Sequence, residues 1–113
     1  MPSLPHCVAD DLDFYDVIEA PGAALVVFGA PACGACRRAK AVASSLSGVV
    51  DRWIEVPAER SPGLVADLEI FHLPALFLYV DGVFHAPIDA VLTPAALRGA
   101  IAAARAAPAV EPP

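Results

Sequence analysis

Apolar residues along the chain come in short blocks, and the spacing inside each block sets the element it predicts. Ala9 to Ala20 carries Leu12, Tyr15 and Ile18 at a helical interval, which predicts a helix stopped by Pro21-Gly22. Leu25 to Phe28 is an unbroken apolar run with two valines and predicts a strand covered on both faces. Gly29 to Ala32, with Pro31, reads as a turn. A second helix is predicted from Cys33 to about Leu46, with Cys36, Ala39, Ala43 and Leu46 on one face and Ser47-Gly48 as its stop. Val49 to Val56 reads as a strand through Trp53 and Ile54. Ser61-Pro62 reads as a cap followed by a first-turn proline, and Leu64, Leu68 and Phe71 form the stripe of a short helix. Trp53 and Phe71 are expected in the core. Pro74 precedes a strand over Ala75 to Val80, Asp81-Gly82 is a hairpin turn signal, and Val83 to Ala86 is the returning strand. Thr93-Pro94 opens a last helix to about Ala106, with Leu97, Ile101 and Ala104 inward.

Helices and strands therefore alternate, which predicts an α/β fold with helices on both faces of the sheet. The first three strands are expected to be parallel and the last pair antiparallel. The 113 residues suffice for one domain. Its expected bounds are 1–107, with 108–113 as a flexible proline-rich tail. Hydrophobic residues make up 58%, ample for one core although much of this is Ala.

Charge changes the picture in one respect. The net charge of −6, from 13 acids against 7 bases, argues against a nucleic-acid partner. The bases Arg37, Arg38 and Lys40 gather after Cys36, and the acids gather between Asp10 and Glu19; both clusters read as solvated helix faces. No apolar run approaches the roughly eighteen residues of a membrane span, so no membrane association is expected. Met1 to His6 shows neither a basic n-region nor an apolar h-region, so a cytoplasmic chain is expected. There a disulfide is usually transient and catalytic.

The chemistry sits in Cys33-Gly34-Ala35-Cys36. Two thiols in C-x-x-C, after an apolar strand and opening a helix, form a redox motif. A thiolate attacks disulfides, and the unpaired N–H groups and dipole of a first helical turn stabilise an anion at Cys33. Cys36, one turn deeper, would resolve the mixed disulfide. Gly34 and Ala35 are small enough for the pair to close, and Arg37 adds a positive charge nearby. Two cysteines could also be half a zinc site, but zinc takes four ligands and Cys7, His6, His72 and His85 stand at no recognisable spacing. No metal and no other cofactor is expected. Cys7 reads as a small hydrophobe outside the motif.

At this point the sequence resembles the thioredoxin family. Leu25 to Arg37 is similar to its strand-plus-motif segment, and Phe71-His72-Leu73-Pro74-Ala75 through Gly82 to its cis-proline loop, strand and hairpin. The resemblance spans residues 9 to 106. It implies a thioredoxin-like fold: a central mixed sheet of four to five strands flanked by helices on both faces. It also implies a redox-active disulfide between Cys33 and Cys36. Residues alone leave Pro74 open to a trans bond at a strand's first position; the resemblance implies a cis Leu73–Pro74 bond beside the cysteines. Substrate would then meet Ala32, Gly34, Ala35, Leu73 and Pro74, with Arg37 and His72 as tuning groups. Several positions depart from the family. Ala32 and Ala35 replace its Trp and Pro, and Ala90 replaces a glycine. Val27 stands for its buried Asp, and Trp53 is matched to that Asp's Lys partner. With no Asp at Val27, a bound water or Glu55 would have to serve Cys36 as base.

The resemblance implies a thiol–disulfide oxidoreductase, acting as a monomer, that reduces protein disulfides with electrons from a reductase. The alternative is a thioredoxin-fold adaptor whose thiols turn over weakly or not at all.

Overall fold

The computed structural model describes residues 4–113. Its elements are β1 (His6–Val8), α1 (Phe14–Ile18), β2 (Ala23–Gly29), α2 (Gly34–Ala43), β3 (Arg52–Pro57), a single 3₁₀ turn (Ala58–Arg60), α3 (Pro62–Asp67), β4 (Ala75–Val80), β5 (Val83–Ile88) and α4 (Pro94–Ala106). The strands form one mixed sheet in the order β1-β3-β2-β4-β5. The most apolar run, β2, is its middle strand and is buried along nearly its whole length.

Alternation along the strands splits the core in two. Leu25, Val27, Trp53, Leu76 and Leu78 face α2 and α4, where Ala39, Ala43, Leu97 and Ile101 meet them. Val26, Phe28, Ile54, Phe77 and Tyr79 face α1 and α3, where Phe14, Ile18 and Leu64 meet them. Helices thus cover both faces, as the alternating pattern predicts.

Several expectations are corrected. β4 runs antiparallel to β2, with Phe28 opposite Ala75 and Ala23 opposite Val80, so only β1, β3 and β2 are mutually parallel. The six-residue α3 rises only about 9 Å, less than half the length of a six-residue strand. By itself it does not span the sheet, and β4 starts at the end where β3 stops. β3 itself begins at Arg52, because Val49 and Val50 turn back onto Leu46 through backbone hydrogen bonds. The edge strand β1 pairs parallel to β3, His6 to Trp53; its three exposed residues carry no periodic signal.

The first helix is also much shorter than its pattern suggests. Leu12 is 93% and Tyr15 60% exposed, and Phe14 with Ile18 takes the buried face. Asp10 accepts the Leu12 N–H and Asp13 accepts the Asp10 N–H, each at 2.9 Å, so local side-chain bonds replace the first helical turn. Ser61 gives α3 no side-chain cap. The cap comes from Asp11, whose two carboxylate oxygens accept the N–H groups of Gly63 and Leu64 at 2.8 and 2.9 Å. The acidic cluster is therefore partly structural rather than a solvated face. Phe71, expected in the core, is 83% exposed because α3 ends at Asp67 and the chain turns outward at Glu69 with a positive φ of 52°.

The hairpin and last helix form as read. Asp81 and Gly82 both adopt positive φ, 52° and 80°, the form a two-residue hairpin turn prefers. Thr93 Oγ1 accepts the Ala96 N–H and Pro94 fills the first turn of α4. Beyond Ala106 the chain has no helix or strand, and Val110 N–H donates to the His85 carbonyl at 2.7 Å. Among the described residues no helix is long and apolar enough to cross a membrane.

Candidate active site: the Cys33–Cys36 pair

The strand β2 delivers the chain at Gly29 to a short turn, and α2 starts five residues later at Gly34. Cys33 is the residue before that helix. Its backbone is extended (φ −112°, ψ 111°) and its Sγ accepts the N–H of Cys36 at 3.1 Å. A sulfur thus fills the place where a Ser or Asp oxygen caps other helices. Cys33 and Cys36 form a disulfide, their Cα atoms 5.2 Å apart.

The two sulfurs have unequal surroundings. Cys33 is half-buried, with Ala32 and Gly34 exposed on either side, whereas Cys36 is 0% exposed. Cys36 shares its helix face with Ala39 and Ala43, which carry it onto the sheet. Arg37 is exposed and leans back over the motif, its Nη2 3.8 Å from the position a Cβ on Gly34 would take.

Pro74 ends the loop before β4, and its Leu73–Pro74 peptide bond is cis. The pairing of Ala75 with Phe28 puts this loop at the end of the sheet where β2 runs into the motif. Leu73 and Pro74 are half-buried, and Leu73 rests on the aromatic half of the core. His72 is exposed and lines a hollow with Phe71, Phe77 and Pro87.

Two features were placed differently by the sequence. Trp53 pairs with Leu25 and lies in the core; the residue of β3 beside Val27 is Glu55. Glu55 is half-buried, with one oxygen 3.3 Å from Lys40 Nζ and the other 3.3 Å from His6 Nε2. Lys40 therefore belongs to a charge cluster across α2, β3 and β1, not to a solvated face. The sequence named Glu55 as a candidate base, and the parallel register places it beside Val27, where the sequence had matched Trp53. Cys7 is the free thiol, exposed on β1, and partial burial of its sulfur pushes the thiol above its ordinary pKa. Among the described residues no three His, Cys, Asp or Glu side chains gather as a metal set.

A five-stranded mixed sheet with this helix arrangement, and a disulfide at the start of the helix after the central strand, define a thioredoxin-like fold. Solved structures agree: the chain superposes on a mutant thioredoxin from Halobacterium salinarum NRC-1 with a TM-score of 0.75, at 22% identity over 88% of this chain and 89% of that one. It superposes on the zinc-bound form of human ERp44 with a TM-score of 0.74, at 17% identity over 87% of this chain and 30% of that one. In sequence it is 37% identical to Thioredoxin domain-containing protein 2 of Rattus norvegicus over 78 residues, 64% of this chain. It is 38% identical to the Mus musculus protein of that name over 82 residues, 67% of this chain. These stretches are only 14% and 16% of the relatives' own lengths. No protein-family model matches the chain. The chain has a thioredoxin-like fold, and its Cys33–Cys36 pair in a Cys-Gly-Ala-Cys motif, with the likeness to these relatives over part of their length, fits the thioredoxin family. At the level of that family, fold and motif support thiol–disulfide oxidoreduction.

Proposed function

We propose that the chain reduces protein disulfides by dithiol–disulfide exchange. The observation that carries this reading is the inequality of the two sulfurs: one half-open at a helix start, the other closed off beneath it. In the reduced protein the Cys36 N–H and the dipole of α2 favour the Cys33 thiolate, and Arg37 adds positive charge. That thiolate attacks a substrate disulfide and forms a mixed disulfide. Cys36 then attacks Cys33, releases the reduced partner and restores the bond found here. An extended substrate segment would lie along the Leu73 backbone before Pro74, over the low surface of Ala32, Gly34 and Ala35. His72, exposed next to Leu73, is a second candidate tuning group. A separate reductase would return electrons to the pair. Such a monomeric reductase works in a reducing cytoplasm.

The test is an insulin-turbidity assay with dithiothreitol as electron source. Wild type accelerates precipitation and Cys33→Ser falls to the uncatalysed background; equal rates would remove the reading. A second reading, a thioredoxin-fold adaptor, draws on the exposed Phe71 and the adjoining hollow of about 670 Å³. Pull-down with Cys36→Ser separates the two: partners trapped only through sulfur support the reductase, and a set captured without it supports the adaptor.

A further inference from the structure

We propose that Glu55 takes the proton from the Cys36 thiol when the mixed disulfide is resolved, through water in a small cavity between β2, β3 and α2. The proposal rests on the exchange reaction set out above. Cys36 is 0% exposed, so its thiol has no direct path for a proton into bulk water, and an un-ionised thiol does not attack a disulfide.

Four residues give that proton a way out. Gly29 follows Ala23, Leu25 and Val27 on the α2 face of β2. A Cβ at Gly29 would stand 3.1 Å from Cys36 Cβ and 3.4 Å from its Sγ. Gly29 is thus in direct contact with Cys36, with no room for a side chain between them. Gly29 also forms one wall of a cavity of about 190 Å³, whose other walls include Ala30, Lys40 and Glu55. At roughly 30 Å³ per molecule of liquid, that volume holds several waters, and the charged walls supply partners for them. Lys40 lies one helical turn after Cys36, hence on the same side of α2. Glu55 stands beside Val27 in the sheet register, and its oxygens lie 3.3 Å from Lys40 Nζ and 3.3 Å from His6 Nε2. The titratable groups facing it are therefore His6 from β1, Lys40 from α2 and, on the outer side of the cavity, the exposed Glu59 of the 3₁₀ turn.

The step balances as follows. The Cys36 thiol gives its proton through cavity water to the Glu55 carboxylate. The freed sulfur electron pair forms the Cys33–Cys36 bond. The bond from Cys33 to the partner breaks, its electron pair leaves on the partner's sulfur, and that sulfur takes a proton from solvent. The dithiol is oxidised by two electrons and the partner's disulfide becomes two thiols. Glu55 returns its proton through the mouth of the cavity.

Stopped-flow reaction of the reduced full chain with DTNB, in a Cys7→Ser background, reads the two sulfurs separately. The first thionitrobenzoate release reports attack by Cys33 and the second reports resolution by Cys36. In Glu55→Gln the second release should slow by about a hundredfold at neutral pH, the lower range of general-base effects, and lose the acid limb of its pH profile, with the first release unchanged. Glu55→Asp should restore part of the rate. Gly29→Ala, which places a methyl group against Cys36, should slow the second release alone. A wild-type second release and pH profile in Glu55→Gln would overturn the proposal. So would equal slowing of both releases, or a slow second release in Glu59→Gln instead. A wild-type protein that never gives the second release would instead sink the exchange reaction itself.

Discussion

The two faces of this sheet are built from different material. Apart from Trp53, the face under α2 and α4 is aliphatic and rich in alanine, with Ala39 and Ala43 against Leu25 and Leu78, and it carries Cys36, Glu55 and Lys40. The face under α1 and α3 is rich in aromatic rings. Phe14 meets Tyr79 edge-on at 5.5 Å between ring centres, Phe28 meets Phe77 at 5.9 Å, and Phe84 meets both Phe77 and Tyr79. Small residues bring α2 close to the strands, so that a helix start can sit over the end of β2. Large rings on the opposite face fill the volume that two short helices leave. One face supplies geometry for chemistry, and the other holds the sheet with packed rings.

That contrast has consequences for substitution, and the largest falls on the aromatic face. Phe14→Ala removes a fully buried ring and should lower stability by roughly 3–5 kcal/mol in urea unfolding; the rate of insulin reduction by the folded fraction should not change. Next, Ala39→Leu over-packs α2 against the sheet. It should cost about 1–3 kcal/mol and, by shifting the helix that carries Cys33, slow insulin reduction about tenfold. Equal activity in both variants would erase the distinction between the faces.

Alkali probes the aromatic face without cutting it. Burial, helped by nearby Tyr15, pushes the Tyr79 hydroxyl up to about 12 from 10.0. Its neutral form is favoured in the folded state, so stability is intact below pH 10 and lost as pH rises through 12. The loss should be no more than about 2 kcal/mol, and Tyr79→Phe should flatten the slope. The smallest effect concerns Asp11, which joins the two short helices of this face. Asp11→Ala unpairs the Gly63 and Leu64 N–H groups and should cost about 1 kcal/mol.

Much of the fold was legible from patterning. β2, β4, the Asp81-Gly82 turn and α4 from Thr93 onward carry strong local signals, because a continuous apolar run, a left-handed dipeptide and the Thr93-Pro94 start are each decided by neighbours in sequence. Failures came where a distant group took over. Ser61-Pro62 looked self-capping, yet Asp11 does the capping from about fifty residues away. Leu12 and Tyr15 had the helical interval, yet Asp10 and Asp13 closed a different turn. Phe71 continued a stripe that α3 stops too early to use. At the site, the C-x-x-C spacing announced itself and Glu55 was already a candidate base, but its place beside Val27 depends on the register of β2 with β3.

By itself the sequence determined that a disulfide-forming pair begins a helix after a buried central strand, since three residues of spacing and one run of apolar side chains are local facts. Only the tertiary structure decided which sulfur is closed off, which way β4 runs, and which carboxylate stands near the cavity behind Gly29. Those depend on strand register and on how far a six-residue helix carries the chain between β3 and β4. Both are settled by packing between segments far apart in the chain.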